Sequence, residues 1–147
     1  MDEKKVLIKV VGRQRYDDDE DDKIELTTIG TLEEAETEYI LTYREELAPN
    51  SAPVKTRLSV QKGGKRIELL RSGDFSSLLI IERSKRNLCT YATEYGDLLM
   101  GIYGKSIDYE IGGDKGVISF GYDIDINGAV TSQNEVTIDF RINNRVD

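Results

Sequence analysis

A chain of 147 residues with 38% hydrophobic and 33% charged side chains has the size and composition of one folded domain spanning 1–147, too apolar for a wholly disordered chain and long enough to bury a core. Twenty basic against twenty-eight acidic side chains leave a formal charge of -8, which disfavours nonspecific attraction to phosphate backbones and anionic membranes; neither nucleic acid nor membrane is an expected partner. With no histidine and Cys89 as the only cysteine, an intrachain disulfide, an ordinary zinc site and a histidine general base are excluded.

The opening MDEKKVLIKVVG lacks the apolar core of a signal peptide, and no apolar run approaches the length of a membrane span, so a soluble, cytoplasmic placement is expected. From Lys5 onward apolar residues alternate with polar ones between short Gly, Asn, Asp and Pro clusters. This pattern predicts strands near Lys5 to Tyr16, Lys23 to Leu32, Glu38 to Glu45, Val54 to Val60 and Lys65 to Arg71. Five more follow near Ser76 to Glu82, Asn87 to Thr93, Asp97 to Ile111, Gly116 to Ile126 and Asn134 to Ile142. Leu32 to Thr37 has room for one helical turn at most. Many short strands in one domain point to an all-β barrel or sandwich.

Two hairpins can be checked by register. Val54, Thr56, Leu58 and Val60 share one face, and a two-residue turn at Gly63-Gly64 pairs Val60 with Ile67 and Leu58 with Leu69, sending both apolar sets to the same side. In the strand from Asp97, Leu98, Met100 and Ile102 occupy even positions, but after Gly104 the apolar set moves to Ile107, Tyr109 and Ile111; Gly104 marks a bulge or barrel corner.

Asp123, Asp125, Asn127 and Gly128 resemble the first half of a calcium loop. The twelfth position is Asn134, however, and Glu135 stands one residue late, so the ligand that binds calcium through two oxygens is out of register. The alternation of Ile118, Phe120, Tyr122, Ile124 and Ile126 reads instead as a half-buried strand, with Asp123 and Asp125 on its solvent face and Asn127-Gly128 as a type I′ turn. That turn would place Glu135 on the apolar face, whereas Val136, Ile138, Phe140 and Ile142 form the apolar set. A bulge or bend within Thr131 to Asn134 must absorb one residue.

GYDIDINGAVTSQNEVTIDF, with ILTYREE, TRLSVQKGGKRIELLRSGDFSSLLIIE and CTYATEYGDLLMGIYG before it, resembles a bacterial family, the YwiB-like domain of unknown function 1934. The resemblance runs along nearly the whole chain in the same order. It implies an all-β, calycin-like antiparallel up-and-down β-barrel of about eight to ten strands, related to the lipocalin-like barrels. It carries no catalytic or binding residues to transfer. The acidic run DDDEDD at Asp17 to Asp22 departs from the shorter loop expected there.

In an up-and-down barrel the turns alternate between ends. One end collects Asp17 to Asp22, Glu45, Glu46, Asp74, Glu94 and Asp97, and the other Lys62, Lys65, Arg66, Arg83, Lys85 and Arg86, diluted by Glu33, Glu34 and Glu36. This separation either steers a charged ligand or keeps the loop tips soluble. The acidic run is either a weak cation holder or a solvated loop.

Arg71 shares the face of Ile67 and Leu69, where its guanidinium could bind a ligand carboxylate or pair with an acidic neighbour at the rim. Tyr39, Leu41 and Tyr43 alternate, as do Leu88, Thr90 and Ala92, and inward aromatics would line a pocket or fill the barrel. Arg71, Tyr39, Tyr43 and Tyr91 are the candidate ligand-binding residues; Cys89 reads as an ordinary strand residue, and no metal ligand set or cofactor is expected. Walker A, G-x-G-x-x-G and G-x-S-x-G motifs are absent from the sequence. The expected function is noncatalytic binding of a small, partly apolar or anionic ligand in the lumen. The competing expectation is a filled-core structural or protein-interaction module, with a homodimer among its forms, and carboxylate acid-base chemistry at residues such as Asp74 and Glu135 is a third.

Overall fold

Period-two alternation becomes a strand almost everywhere it occurs in this chain. The structure, a computed structural model, describes residues 3–16, 21–45, 53–73 and 76–143. Its ten strands are β1 (Glu3–Tyr16), β2 (Asp21–Glu34), β3 (Glu38–Glu45), β4 (Val54–Gln61), β5 (Arg66–Ser72), β6 (Ser77–Glu82), β7 (Arg86–Thr93), β8 (Gly96–Gly112), β9 (Lys115–Ile126) and β10 (Ala129–Ile142). Leu32 to Glu34 extend β2 rather than turning into a helix, and β10 starts at Ala129, ahead of its predicted start at Asn134.

All ten strands join one antiparallel sheet in the order β6-β5-β4-β3-β2-β1-β10-β9-β8-β7. Sequence neighbours pair throughout, and the one long-range pairing, β1 with β10, aligns Ile8 with Phe140 and Val10 with Ile138. The sheet curls into a nearly closed up-and-down barrel whose seam lies between β6 and β7. No ladder joins those two strands; side chains do. Asn87 Nδ2 donates to Ile80 O at 3.4 Å, and the Cys89 thiol donates to Leu78 O at 3.0 Å. Past the end of β6, Ser84 N donates to Gly104 O at 2.8 Å and Gly104 N to Lys85 O at 3.1 Å.

The predicted register of the β4–β5 hairpin holds, with Val60 opposite Ile67 and Leu58 opposite Leu69. Its connection is longer than two residues, because Gly64 N closes a turn onto Gln61 O at 2.9 Å and β5 begins only at Arg66. Both predicted irregularities are present. The β8–β9 register slips between Gly104 and Ser106, and the β9–β10 register slips between Val130 and Ser132, with Thr131 as the extra residue. The second slip sets Val136 against Phe120 and Ile138 against Ile118, keeping the apolar face of β10 inside.

Inward-facing residues of β3 to β6 stack in registered rows. Leu41, Leu58, Leu69 and Leu79 lie side by side, all buried, and the row toward the β4–β5 turn is Tyr39, Val60, Ile67 and Ile81. Ile8, Ile102, Ile118 and Ile138 meet them from the opposite wall with 0–1% exposure. The middle of the barrel is therefore filled by its own side chains, as narrow barrels commonly are. β7 faces the opposite way from its expected alternation: Cys89 is buried, while Leu88 points outward at 62% exposure. Pairing across the seam needs Asn87 and Cys89 inside, so parity puts Leu88 outside.

Candidate functional site

The turns at the two barrel ends divide as the up-and-down topology predicts. At the end carrying Arg71 the interior changes character. One step beyond the leucine row, the registered residues are Tyr43, Thr56, Arg71 and Ser77. Across the barrel, Gln14, Asn134 and Tyr122 form a second polar row on β1, β10 and β9. Thr56, Ser77, Asn134, Tyr43 and Tyr122 are all buried.

Buried polar groups of this kind need partners, and several find them within the site. Glu45 Oε1 accepts hydrogen bonds from Arg71 Nε at 3.1 Å and Thr56 Oγ1 at 2.8 Å. Asn134 Nδ2 donates to Ser132 Oγ at 3.1 Å and reaches Tyr122 O at 3.5 Å. Arg71 spends only Nε on Glu45; among the described residues its two terminal nitrogens make no hydrogen bond or ion pair.

Burial pushes the Tyr43 hydroxyl far above the ordinary tyrosine range, the Glu45 carboxylate adds to the rise, and Arg71 opposes it. Burial likewise raises Tyr122, again opposed by Arg71. Arg71, whose side chain is 34% exposed, opposes both rises. Both tyrosines hold their protons more tightly when folded, so their contribution to stability is complete below the unfolded value near pH 10 and is lost as pH rises above it. Urea midpoints measured from about pH 8 to pH 11 should fall, and the fall should be shallower in Tyr43→Phe. Equal slopes for the two proteins would mean that Tyr43 titrates as an exposed tyrosine.

The four predicted site residues are not brought together. Arg71 and Tyr43 meet in the polar mouth, and Tyr91, paired with Leu98 on the inward side of β7, stands at the rim of the same end with 41% exposure. Tyr39 lies at the other end, in an open cleft of about 880 Å³ lined by Leu32, Ile111, Lys4 and Lys62 among others. There Lys62 is already engaged, 2.7 Å from Glu34 Oε2 and 5.1 Å from the Tyr39 ring centre; its hydrogen bond with Glu34 raises its pKa. Tyr109 packs on Tyr39 at 5.9 Å and accepts Gly63 N at 2.9 Å, so these tyrosines brace the β4–β5 turn.

Thr56, Tyr122, Ser132 and Asn134 were not among the predicted site residues. Parity could have found them, since each continues the inward face of its own strand. Only pairing across strands sets Thr56 beside Arg71 and Asn134 beside Tyr122.

The expected type I′ turn is confirmed, with φ of 55° at Asn127 and 86° at Gly128. The solvent-face reading of Asp125 is corrected, because it is 7% exposed and held by Arg86 in a two-pronged ion pair, Nε to Oδ2 at 2.8 Å and Nη2 to Oδ1 at 2.7 Å. This pair crosses over Gly101 of β8, where an added Cβ would lie 2.3 Å from Asp125 Oδ2. The Arg86 hydrogen bond holds the Asp125 carboxyl below the usual range, with further help from Gly128 N. Asp123 is half-buried, with Lys105 Nζ 2.9 Å from its Oδ1, an ion pair whose angle falls short of a hydrogen bond. The loop's first carboxylates thus hold basic side chains. Residues 17–20 of the acidic run, together with Glu46 and Asp74, lie outside the described residues. Among the described residues, no cluster of three His, Cys, Asp or Glu side chains could hold a metal ion, and no helix is long and apolar enough to cross a membrane.

The crystal structure of ywiB protein from Bacillus subtilis is similar to this barrel, with a TM-score of 0.82 and 23% sequence identity over 96% of this chain and 93% of the other. At that identity the likeness establishes the fold alone. No curated protein matches the chain. The model of the family described as Domain of unknown function (DUF1934) matches residues 8–138, and the chain therefore belongs to that family.

Proposed function

We propose that this barrel binds, without catalysis, a small and partly apolar molecule bearing a carboxylate or similar anion in the mouth around Arg71, and that it does so in the cytoplasm. The observation that carries the reading is the change from the row Leu41, Leu58, Leu69, Leu79 to the row Tyr43, Thr56, Arg71, Ser77 one step away. A barrel filled only for stability has no need of an arginine beside buried Thr56 and Ser77. Arg71 fits the role because Glu45 anchors Nε while the terminal nitrogens, a pair able to grip a carboxylate, bond no other described residue. The filled middle argues for a site at the mouth rather than deep in the lumen, where the sequence reading put it. The likeness to lipocalin-like barrels that the sequence resemblance implies supports binding by analogy.

Native mass spectrometry of gently purified protein, with organic extraction, should reveal a copurifying compound near one-to-one occupancy. Calorimetry with octanoate and decanoate should show saturable binding that Arg71→Ala weakens at least tenfold, about 1.4 kcal/mol. Because removing Arg71 strands Glu45, Tyr122→Phe provides a second variant that leaves that ion pair intact and should weaken binding severalfold. Clean protein together with no heat from either anion would overturn the reading.

A further inference from the structure

Outward positions of a water-exposed barrel are normally polar, and β4 obeys this with Lys55, Arg57 and Gln61, while β1 sets half-buried Leu7 and Val11 among Lys5, Lys9 and Arg13. The wall around the seam does not. Leu70 on β5 pairs directly with Leu78 on β6; Leu88 follows across the seam on β7, then Leu99 and Tyr103 on β8, with the Arg86–Asp125 ion pair lying over Gly101 between those two. Leu88 and Leu99 are 62% and 54% exposed, and the other three are 36–41% exposed. At about 4.8 Å per strand and 3.3 Å per residue, this face is on the order of 15–20 Å in each direction, enough for the apolar centre of a protein interface.

The charges at its two ends differ in sign. Toward the β6–β7 turn stand Arg66, 3.5 Å from Glu68, Lys85, 4.0 Å from Glu82, and Arg83, which has no ion pair among the described residues; toward the β7–β8 turn stand Glu94 and Asp97. Two copies of a chain with a net charge of -8 repel each other at long range, so a self-contact needs local complementarity. A two-fold axis through the apolar face supplies it. Rotation sets the basic end of one copy over the acidic end of the other and brings Leu78 toward the partner's Leu88 position. The contact is isologous, so it closes at two copies.

We infer that the outer face of β5 to β8 is the interface of a homodimer, formed by two copies packed antiparallel across their seams. It covers the one place where the barrel wall lacks a backbone ladder. This inference is independent of the ligand site, which opens at the barrel end.

Sedimentation velocity of the full chain at about 50 μM, in the concentration range where a micromolar interface is filled, should show a dimer. Leu88→Lys, a change at an exposed position that leaves the far-ultraviolet circular dichroism unaltered, should sediment as a monomer. Arg83→Glu and Asp97→Arg set like charges against each other and should each weaken the dimer at least tenfold. Mixing these two variants restores opposite charges at both contacts and should reconstitute a dimer. A monomeric wild type at that concentration overturns the inference, as does a dimer that survives Leu88→Lys or a mixture no more associated than its components.

Discussion

Gly104→Ala is expected to destabilise the barrel by about 3 kcal/mol, because it drives a methyl group into backbone rather than into a movable side chain. A Cβ at Gly104 would lie 2.2 Å from Glu82 O and 2.6 Å from Glu82 C. This is the bulge where β8 passes the end of β6, and its peptide groups bond Ser84 N and Lys85 O. To admit the methyl, β8 must move off β6, stretching the backbone bonds of Gly104 that help close the seam. The side-chain links Asn87 to Ile80 O and Cys89 to Leu78 O would lengthen with them. Urea unfolding measures the loss, and Gly112→Ala is the control, since a Cβ there meets nothing within 4 Å. If both variants unfold at the wild-type midpoint, the close approach at Gly104 is absent.

Ile118→Ala should cost about 3–4 kcal/mol, the range for emptying a large aliphatic side chain from a packed core. Ile118 is 1% exposed and faces Ile138, itself 1% exposed, across the β9–β10 ladder. These residues belong to the layer that separates the polar mouth from the Tyr39 cleft, and rigid strands cannot collapse to fill the void. Ile118→Val should cost only about 1 kcal/mol. Binding of decanoate in the Arg71 mouth should be nearly unchanged in Ile118→Val, which removes one methyl far below the proposed ligand. A loss below about 1 kcal/mol for the alanine variant would show that the centre is loosely packed and would favour a continuous lumen.

Strand positions and most inward faces follow from the sequence alone, because period-two alternation has a direct physical cause: successive side chains leave a strand on opposite sides, and one side must be dry. The same rule located two bulges, since a change of parity after Gly104 and a clash of parities between Ala129 and Val136 each require an extra residue. Alternation failed where neighbouring residues compete for the inside. On β7 both Leu88 and Cys89 suit a core, and the seam decides between them, because only a thiol and an amide on the inner parity can reach the carbonyls of β6. Asp125 was misjudged for a related reason. Its partner, Arg86, is thirty-nine positions away in the chain and reaches it only because the strand between them carries Gly101 at the crossing.

The candidate site divides in the same way. Arg71 and Tyr43 were visible as inward residues from their own strands, and the sequence by itself determined an acidic all-β chain of ten alternating strands with those two side chains on the apolar parity. Tertiary structure alone decided that they share a mouth with Glu45, Thr56 and Tyr122, that Tyr39 stands at the opposite end, and that a filled leucine and isoleucine layer lies between. Parity is a local property of one strand, whereas the height of a residue in a barrel depends on how every strand is staggered against its neighbours, and no single strand encodes that stagger.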